Sequence, residues 1–333
     1  MGTILTLGVI GSFGPQLQTV WAVFQGLLLE AIPFLLIGVA IATIARAWDP
    51  RGRLLQRLPR HPLLGPLSGA ALGFALPACE CGNVPVARRL MAQGAPMGAA
   101  LGFLFAAPVL NPIVLLSTWA AFPDRPWLLL LRPLGSVLIA LALTALLQQL
   151  SEAALLAPDL LEERRMGQPL ERASLLERRS GLIGSIQAAP PPAVVEPARP
   201  SLAVLLDHGL REFLELGSLL LLGCAIAATI QTLIPRDLFL TVGQAPTLSV
   251  ISLMVLAVVV SVCSSVDAFL ALGFAALVTP GALLAFLLLG PVIDLKSLSL
   301  FARLFRRRGI LLMLAGVVLA VLLIGQWLNL LLL

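Results

Sequence analysis

Eight apolar stretches approach or reach the length that a lipid bilayer demands of a helix, and that demand constrains the fold more than any other feature of the chain. The hydrocarbon core is about 30 Å thick, so a spanning helix needs about 20 apolar residues. Inside it, backbone that leaves helical geometry survives only within protein or beside a water-filled cavity. The apolar runs cover roughly 17–45, 63–76, 95–122, 127–147, 213–234, 247–278, 281–301 and 310–333. Charged residues make up only 12% of the chain and hydrophobic ones 59%, whereas a soluble domain carries about 25% charged residues. The mean hydropathy is +1.00. The expected fold is an all-α polytopic membrane protein of about eight transmembrane segments, in two internally repeated halves with broken or re-entrant helices.

The net charge is +5 and nearly all of the positive charge is arginine, with Lys296 the only lysine. The arginines lie between apolar runs, where they orient a protein in the bilayer. There is no basic-aromatic patch and no tyrosine, so nucleic acid is not an expected partner. No lysine or arginine precedes Arg46, so the positive region of a signal peptide is missing, and the first span is expected to insert the protein itself. A disulfide scaffold does not suit a chain this apolar. Cys79, Cys81, Cys224 and Cys263 therefore read as free or soft-ligand thiols.

Residues 151–204 differ in kind. They are rich in Glu and Arg and then in proline, and they read as a solvated linker, partly helical and then extended. They divide a first transmembrane repeat (1–150) from a second (205–333). Glu30 and Gly38 have the same spacing as Glu215 and Gly223. Gly98, Phe103, Pro108 and Asn111 align at one offset with Gly281, Phe286, Pro291 and Asp294, and Cys79 and Cys263 hold corresponding places. Repeats with interruptions at matching positions point to a transporter site. If every segment crosses, the basic loops near 51–60 and 303–308 share one side and the linker takes the other. A re-entrant segment in each half puts all three on one side. Either arrangement fits the charges.

The interruptions carry the chemistry. Cys79-Glu80-Cys81 lies between the helix breakers Pro77 and Pro85, with Gly82 and Asn83 adding a turn signal. Thiolates suit soft metals and metalloids, so Cys79, Cys81 and Cys263 are candidate metal ligands. The alternative is that they pack as small hydrophobes. In the second half Cys263, Ser264, Ser265 and Asp267 form a polar lining, and an acid within the membrane is a functional candidate by default. Asn111 follows Pro108, and Asp294 and Lys296 follow Pro291. Residues two apart do not face each other in a regular helix, so pairing of Asp294 with Lys296 requires an unwound stretch. Snorkelling of both to the headgroups is the alternative. Glu30 and Glu215 are expected near helix starts, where acids suit the dipole.

The segments "PACECGNVPVARRLMAQGAPMGAALGFLFAAPVLNP" and "CSSVDAFLALGFAALVTPGALLAFLLLGPVIDLKS" resemble the two signature regions of the predicted permease family that includes the ArsP-type organoarsenical efflux permeases. The resemblance covers nearly all of the apolar chain. It implies export of a thiophilic solute recognised by cysteines, here Cys79, Cys81 and Cys263. The expected function is a secondary transporter in the plasma (cell inner) membrane, not an enzyme. It would bind a small soft solute or metalloid, with Asp267, Asp294 and Lys296 serving a coupling proton or charge balance. A divalent metal permease using Glu80, Asp267 and Asp294 is the alternative. A membrane thiol oxidoreductase and a scaffold subunit are more distant ones. No cofactor is expected, and no phosphate-cradling loop followed by Lys-Ser/Thr is present. A second copy or an accessory membrane subunit are the remaining partners.

Overall fold

The computed structural model describes residues 2–49, 55, 57–76, 79–167, 202–233 and 245–332. Its described residues form helices joined by short turns, with one isolated β-bridge between Leu156 and Phe305. In chain order the helices are α1 (Gly2–Trp48), α2 (Leu64–Ala75), α3 (Glu80–Ala92), α4 (Met97–Leu110), α5 (Pro112–Ala121), α6 (Pro126–Leu147), α7 (Glu152–Leu155) and α8 (Pro158–Gly167). After the linker come α9 (Leu202–Leu233), α10 (Pro246–Val260), α11 (Asp267–Leu272), α12 (Pro280–Leu289), α13 (Leu295–Phe301) and α14 (Arg307–Leu332).

Among the described residues, five helical stretches are long and apolar enough to cross a membrane: Gln16–Trp48, Met97–Ala121 (interrupted at Asn111), Pro126–Leu147, Ala203–Leu233 and Arg307–Leu332. Their outward faces are apolar too. Leu130, Leu134 and Leu138 form an exposed stripe on α6, as do Leu319, Leu323 and Trp327 on α14. A water-facing helix would place polar residues there. The protein is an all-α polytopic membrane protein.

Contacts between helix ends define two faces. On the first, Gln93 Nε2 donates to the Asp49 carbonyl at 2.6 Å, joining the ends of α1 and α3. The start of α4 lies against Gln148, just past α6, and the start of α9 lies against the end of α1 at Gly209 and Thr43. The Ala157 N–H donates to Leu304 O at 2.9 Å, bringing the linker's first residues to the junction of α13 and α14. We call this the linker face. On the far face Asn329, near the end of α14, accepts from Gly281 N–H at 2.8 Å and donates to Pro246 O at 2.8 Å. The starts of α10 and α12 therefore sit together there.

These contacts give α2 and α3 opposite directions. The pair enters from the linker face, bends at 76–79 and returns. Residues 246–275 do the same from the far face, since Ala275 meets Arg125 at the start of α6. Two re-entrant hairpins thus enter the bundle, one from each face, and residues 57–60, the Arg303–Arg308 segment and the start of the linker share the linker face. That is the second of the two arrangements left open by the loop charges.

Several local expectations are corrected. Pro85 and Pro108 lie inside α3 and α4, which continue past them. Each proline removes one helical hydrogen bond, and the chain leaves helical geometry elsewhere, at Leu76, Cys79 and Asn111. Pro291 does lie in a break, between α12 and α13. Pro77 is outside the described residues. Glu30 and Glu215 do not start helices but lie within α1 and α9. The linker is not solvated from its first residue: Leu155, Leu156, Ala157, Leu160 and Leu161 are buried. Its remainder, 168–201, is outside the described residues.

Small residues let the helices touch backbone to backbone, the usual means of packing in lipid. Gly38 of α1 lies on the Gly82 backbone of α3, and Gly223 of α9 lies against Lys296 of α13, where an added Cβ would come 3.0 Å from the Lys296 Cα. These are the two glycines with matched spacing in the sequence, and each abuts a helix that leaves a break. Gly38→Ala should force α1 away from α3 and lower the thermal midpoint in detergent, at an overpacking cost of about 1–3 kcal/mol. Gly26 has nothing within 4 Å of its notional Cβ, so Gly26→Ala should be neutral or stabilising by up to about 1 kcal/mol.

Candidate functional site

The two hairpin bends and the break before α13 converge inside the bundle. Cys79 is extended (φ −76°, ψ 177°) and caps α3, which places Glu80 in the helix's first turn. A carboxylate there suits the helix dipole. Ser261 ends α10 in the left-handed region (φ 50°, ψ 42°), which turns the chain into 261–266. It is the only non-glycine residue with positive φ among those described. Asp294 is extended (φ −136°, ψ 173°) and forms a capping box with Ser297 at the start of α13.

These geometries bring charges together. Lys296 Nζ lies 3.9 Å from Glu80 Oε1 and 3.7 Å from Asp294 Oδ2. The Asp294–Lys296 pair forms because Asp294 is extended, the unwound stretch that their spacing requires. Asp294 is heavily bonded: Ser261 Oγ donates to Oδ2 at 2.6 Å, and Ser297 N–H donates to Oδ1 at 2.6 Å. Ser264 Oγ donates to Glu80 Oε2 at 3.4 Å, and Ser265 Oγ to Cys263 Sγ at 3.4 Å. Cys79 Sγ, a Glu80 oxygen and Cys263 Sγ lie within 4.8 Å of one another. Cys81 is buried beside Cys79, and Asn83 is fully buried one helical turn further on. Cys79, Glu80, Cys81, Asp294 and Lys296 are all 5% exposed or less. All four cysteines are free thiols.

Asp267 belongs to a second charged cluster. Arg132 of α6, fully buried, pairs with Asp267 Oδ2 at 2.5 Å and donates to Thr118 Oγ1 at 2.6 Å and Ser264 O at 3.4 Å. It thus holds the far end of the 261–266 bend, while Ser261–Asp294 holds the near end. Asn111 caps α5 by accepting from Ile113 N–H at 2.9 Å. Arg132 and Thr118 are absent from the residues singled out by sequence. The signal was present, because an arginine inside an apolar run is itself a functional candidate.

Three donors of the kind offered by Cys79, Glu80 and Cys263 fit a soft ion or metalloid as cargo. An ion at about 2.3 Å from sulfur would draw its donors to roughly 3.8 Å apart, a modest contraction of the cluster.

An apolar exterior, hairpins from both faces and a buried charged centre at broken helices define a membrane permease. The comparison with known proteins agrees. The chain belongs to the predicted permease family ArsP_1, whose model matches residues 16–330. It is 33% identical to the UPF0718 protein YcgR of Bacillus subtilis, over 90% of this chain and 94% of that protein. It is 27% identical to a putative two-component membrane permease complex subunit of Streptococcus mutans, over 87% and 88% of the two chains. A shorter match, 37% identical over 24% of this chain and 23% of its partner, is to the UPF0718 protein YraQ of Escherichia coli. No solved structure matches the chain.

Removing one member of a buried ion pair costs about 3–5 kcal/mol, whereas replacing both with apolar groups costs far less. Arg132→Met and Asp267→Leu should each lower the unfolding midpoint in detergent strongly. The double variant should recover most of that loss, and a double-mutant cycle measures the coupling.

Proposed function

We propose that the chain is a secondary transporter that exports a small thiophilic solute, an organoarsenical or related metalloid, across the plasma membrane. The observation that carries this reading is the meeting of Cys79 and Cys263, from opposite hairpins, around Glu80 in a buried centre. Both thiols are soft donors, and the remaining site candidates, Cys81, Asn83, Asn111, Ser264 and Ser265, line or support the same breaks. Asp294, already used to cap α13, balances the charge of Lys296 rather than ligating the solute.

The halves are read as an inverted repeat. α1 runs toward the linker face and α9 away from it, α6 toward it and α14 away, and the two hairpins enter from opposite faces. Such repeats support alternating access around a site at their interface. The basic 51–60 and 303–308 segments favour a cytoplasmic linker face by the charge rule for short loops.

A divalent cation such as zinc is the second reading. Two carboxylates, Glu80 and Asp294, face one ammonium, Lys296, so with both acids ionised the centre would hold one negative charge in excess. A cation or a coupling proton on Glu80 would relieve it. The description of the Streptococcus mutans relative as a complex subunit favours an accessory membrane partner as part of the working transporter.

Flux in proteoliposomes tests the proposal, using a trivalent methylarsenical and zinc as probes. Cys79→Ser and Cys263→Ser should each reduce arsenical flux by about 10-fold or more, the loss of roughly 1.4 kcal/mol of binding. Glu80→Gln should impair zinc flux more than arsenical flux if the cation reading holds. Unchanged flux of both probes in both serine variants would end the thiol reading.

A further inference from the structure

The helices that present the charged centre both end on the linker face. α3 carries Glu80 at its inner end and stops at Ala92, and α13 carries Lys296 at its inner end and stops at Phe301. Residues 152–167 hold both outer ends. Arg164 is 4% exposed and forks onto Glu152 with two bonds of 3.0 Å. Its Nη1 donates to Met91 O at 2.7 Å and Ala95 O at 3.0 Å. Carbonyls at a helix C-terminus lack helical partners, and a cation there also suits the dipole.

The other edge of this segment meets the second half. Ala157 N–H donates to Leu304 O, and Arg306 N–H donates to Leu155 O, both at 2.9 Å. Arg306 Nε adds a bond to Leu156 O at 3.3 Å. Between the two edges, Arg88 of α3 pairs with Glu163 of the segment at 3.1 Å and with Glu212 of α9 at 3.6 Å. One stretch of 16 residues, α7 and α8 with their connection, therefore fastens α3 to the α13–α14 junction, while Arg88 ties α3 both to that stretch and to α9. On the far face Arg125 Nη1 donates to Ala275 O at 3.4 Å, close to the limit for such a bond.

We propose that residues 152–167 are the gate of the linker face. They form a strap whose anchors, Arg164 and Arg88, keep the central thiols closed to that side. The centre opens to the far face with the strap in place, and to the linker face only when the strap leaves α3. Arg164 acts as a positioning residue through α3, not as a ligand. This rests on the centre being the transport site, but the test needs no transported solute.

The test is the rate at which Cys79, Cys81 and Cys263 react with a membrane-impermeant maleimide. It uses the full chain in a Cys224→Ser background, in vesicles of both orientations. Arg164→Gln removes charge-assisted bonds and should speed labelling from the linker face about tenfold or more. The far-face rate should not change. Arg164→Lys, which keeps the charge but not the fork, should fall between. Equal acceleration from both faces, the mark of general loosening, overturns the proposal, and so does no acceleration at all. Where Arg164→Gln fails to insert, Arg88→Gln releases Glu163 without disturbing the α3 carbonyls, and the same directional comparison decides. Directional labelling with thiol-independent flux would leave the gate standing and remove the transport reading. Non-directional labelling removes the gate whatever the solute.

Discussion

Charge that is shut away from water must find its partner inside the protein, and in this chain five side chains impose that requirement: Glu80, Asp267, Asp294, Lys296 and Arg132. An isolated charge at the centre of a membrane costs about 2.5–3.5 kcal/mol on insertion scales, so each needs a neighbour at a few ångströms. Straight helices cannot supply those neighbours. Asp294 and Lys296 would diverge on a regular helix, and they converge because Asp294 is extended. Glu80 reaches Lys296 because α3 begins in mid-bundle, at the bend of a hairpin. The breaks in the helices and the pairing of the charges are one arrangement. At the break before α13 the same carboxylate, Asp294, both caps the helix and faces Lys296.

The two clusters differ in charge. Arg132 and Asp267 neutralise each other and fix the shape of the 261–266 bend. Glu80, Asp294 and Lys296 do not cancel, and their imbalance lies beside the thiols. One pair sets geometry, while the other cluster leaves electrostatic work for a bound species. Asp267 therefore sits in the neutral pair with Arg132 and not in the cluster around Lys296.

Much of this was legible in the amino acids. Apolar run length identified the helices, and matched spacing pointed to Cys79, Cys263, Asn111 and Asp294 before any geometry was known. The misreadings have separate physical causes. Pro85 and Pro108 looked like breaks because proline disfavours helices locally, but neighbouring helices hold α3 and α4 straight through them. Arg132 was hidden because one charge barely alters the mean hydropathy of a long apolar run. The segment after 151 looked solvated because its charges dominate its composition. Its leucines at 155, 156, 160 and 161 are nonetheless buried, on both sides of the turn between α7 and α8. Direction was the least legible property, since charge counts on loops do not distinguish a crossing from a hairpin.

Lys296, the chain's only lysine, is 1% exposed at the charged centre. Every other basic side chain is arginine or histidine, so the outer surface offers amine-directed reagents no lysine at all. Reductive methylation would therefore reach Lys296 only when the centre opens, and an isotopically labelled methyl group there, the one side-chain amine signal, would report by magnetic resonance on that centre. The rarity that makes this residue inconspicuous in the composition turns it into a built-in spectroscopic handle.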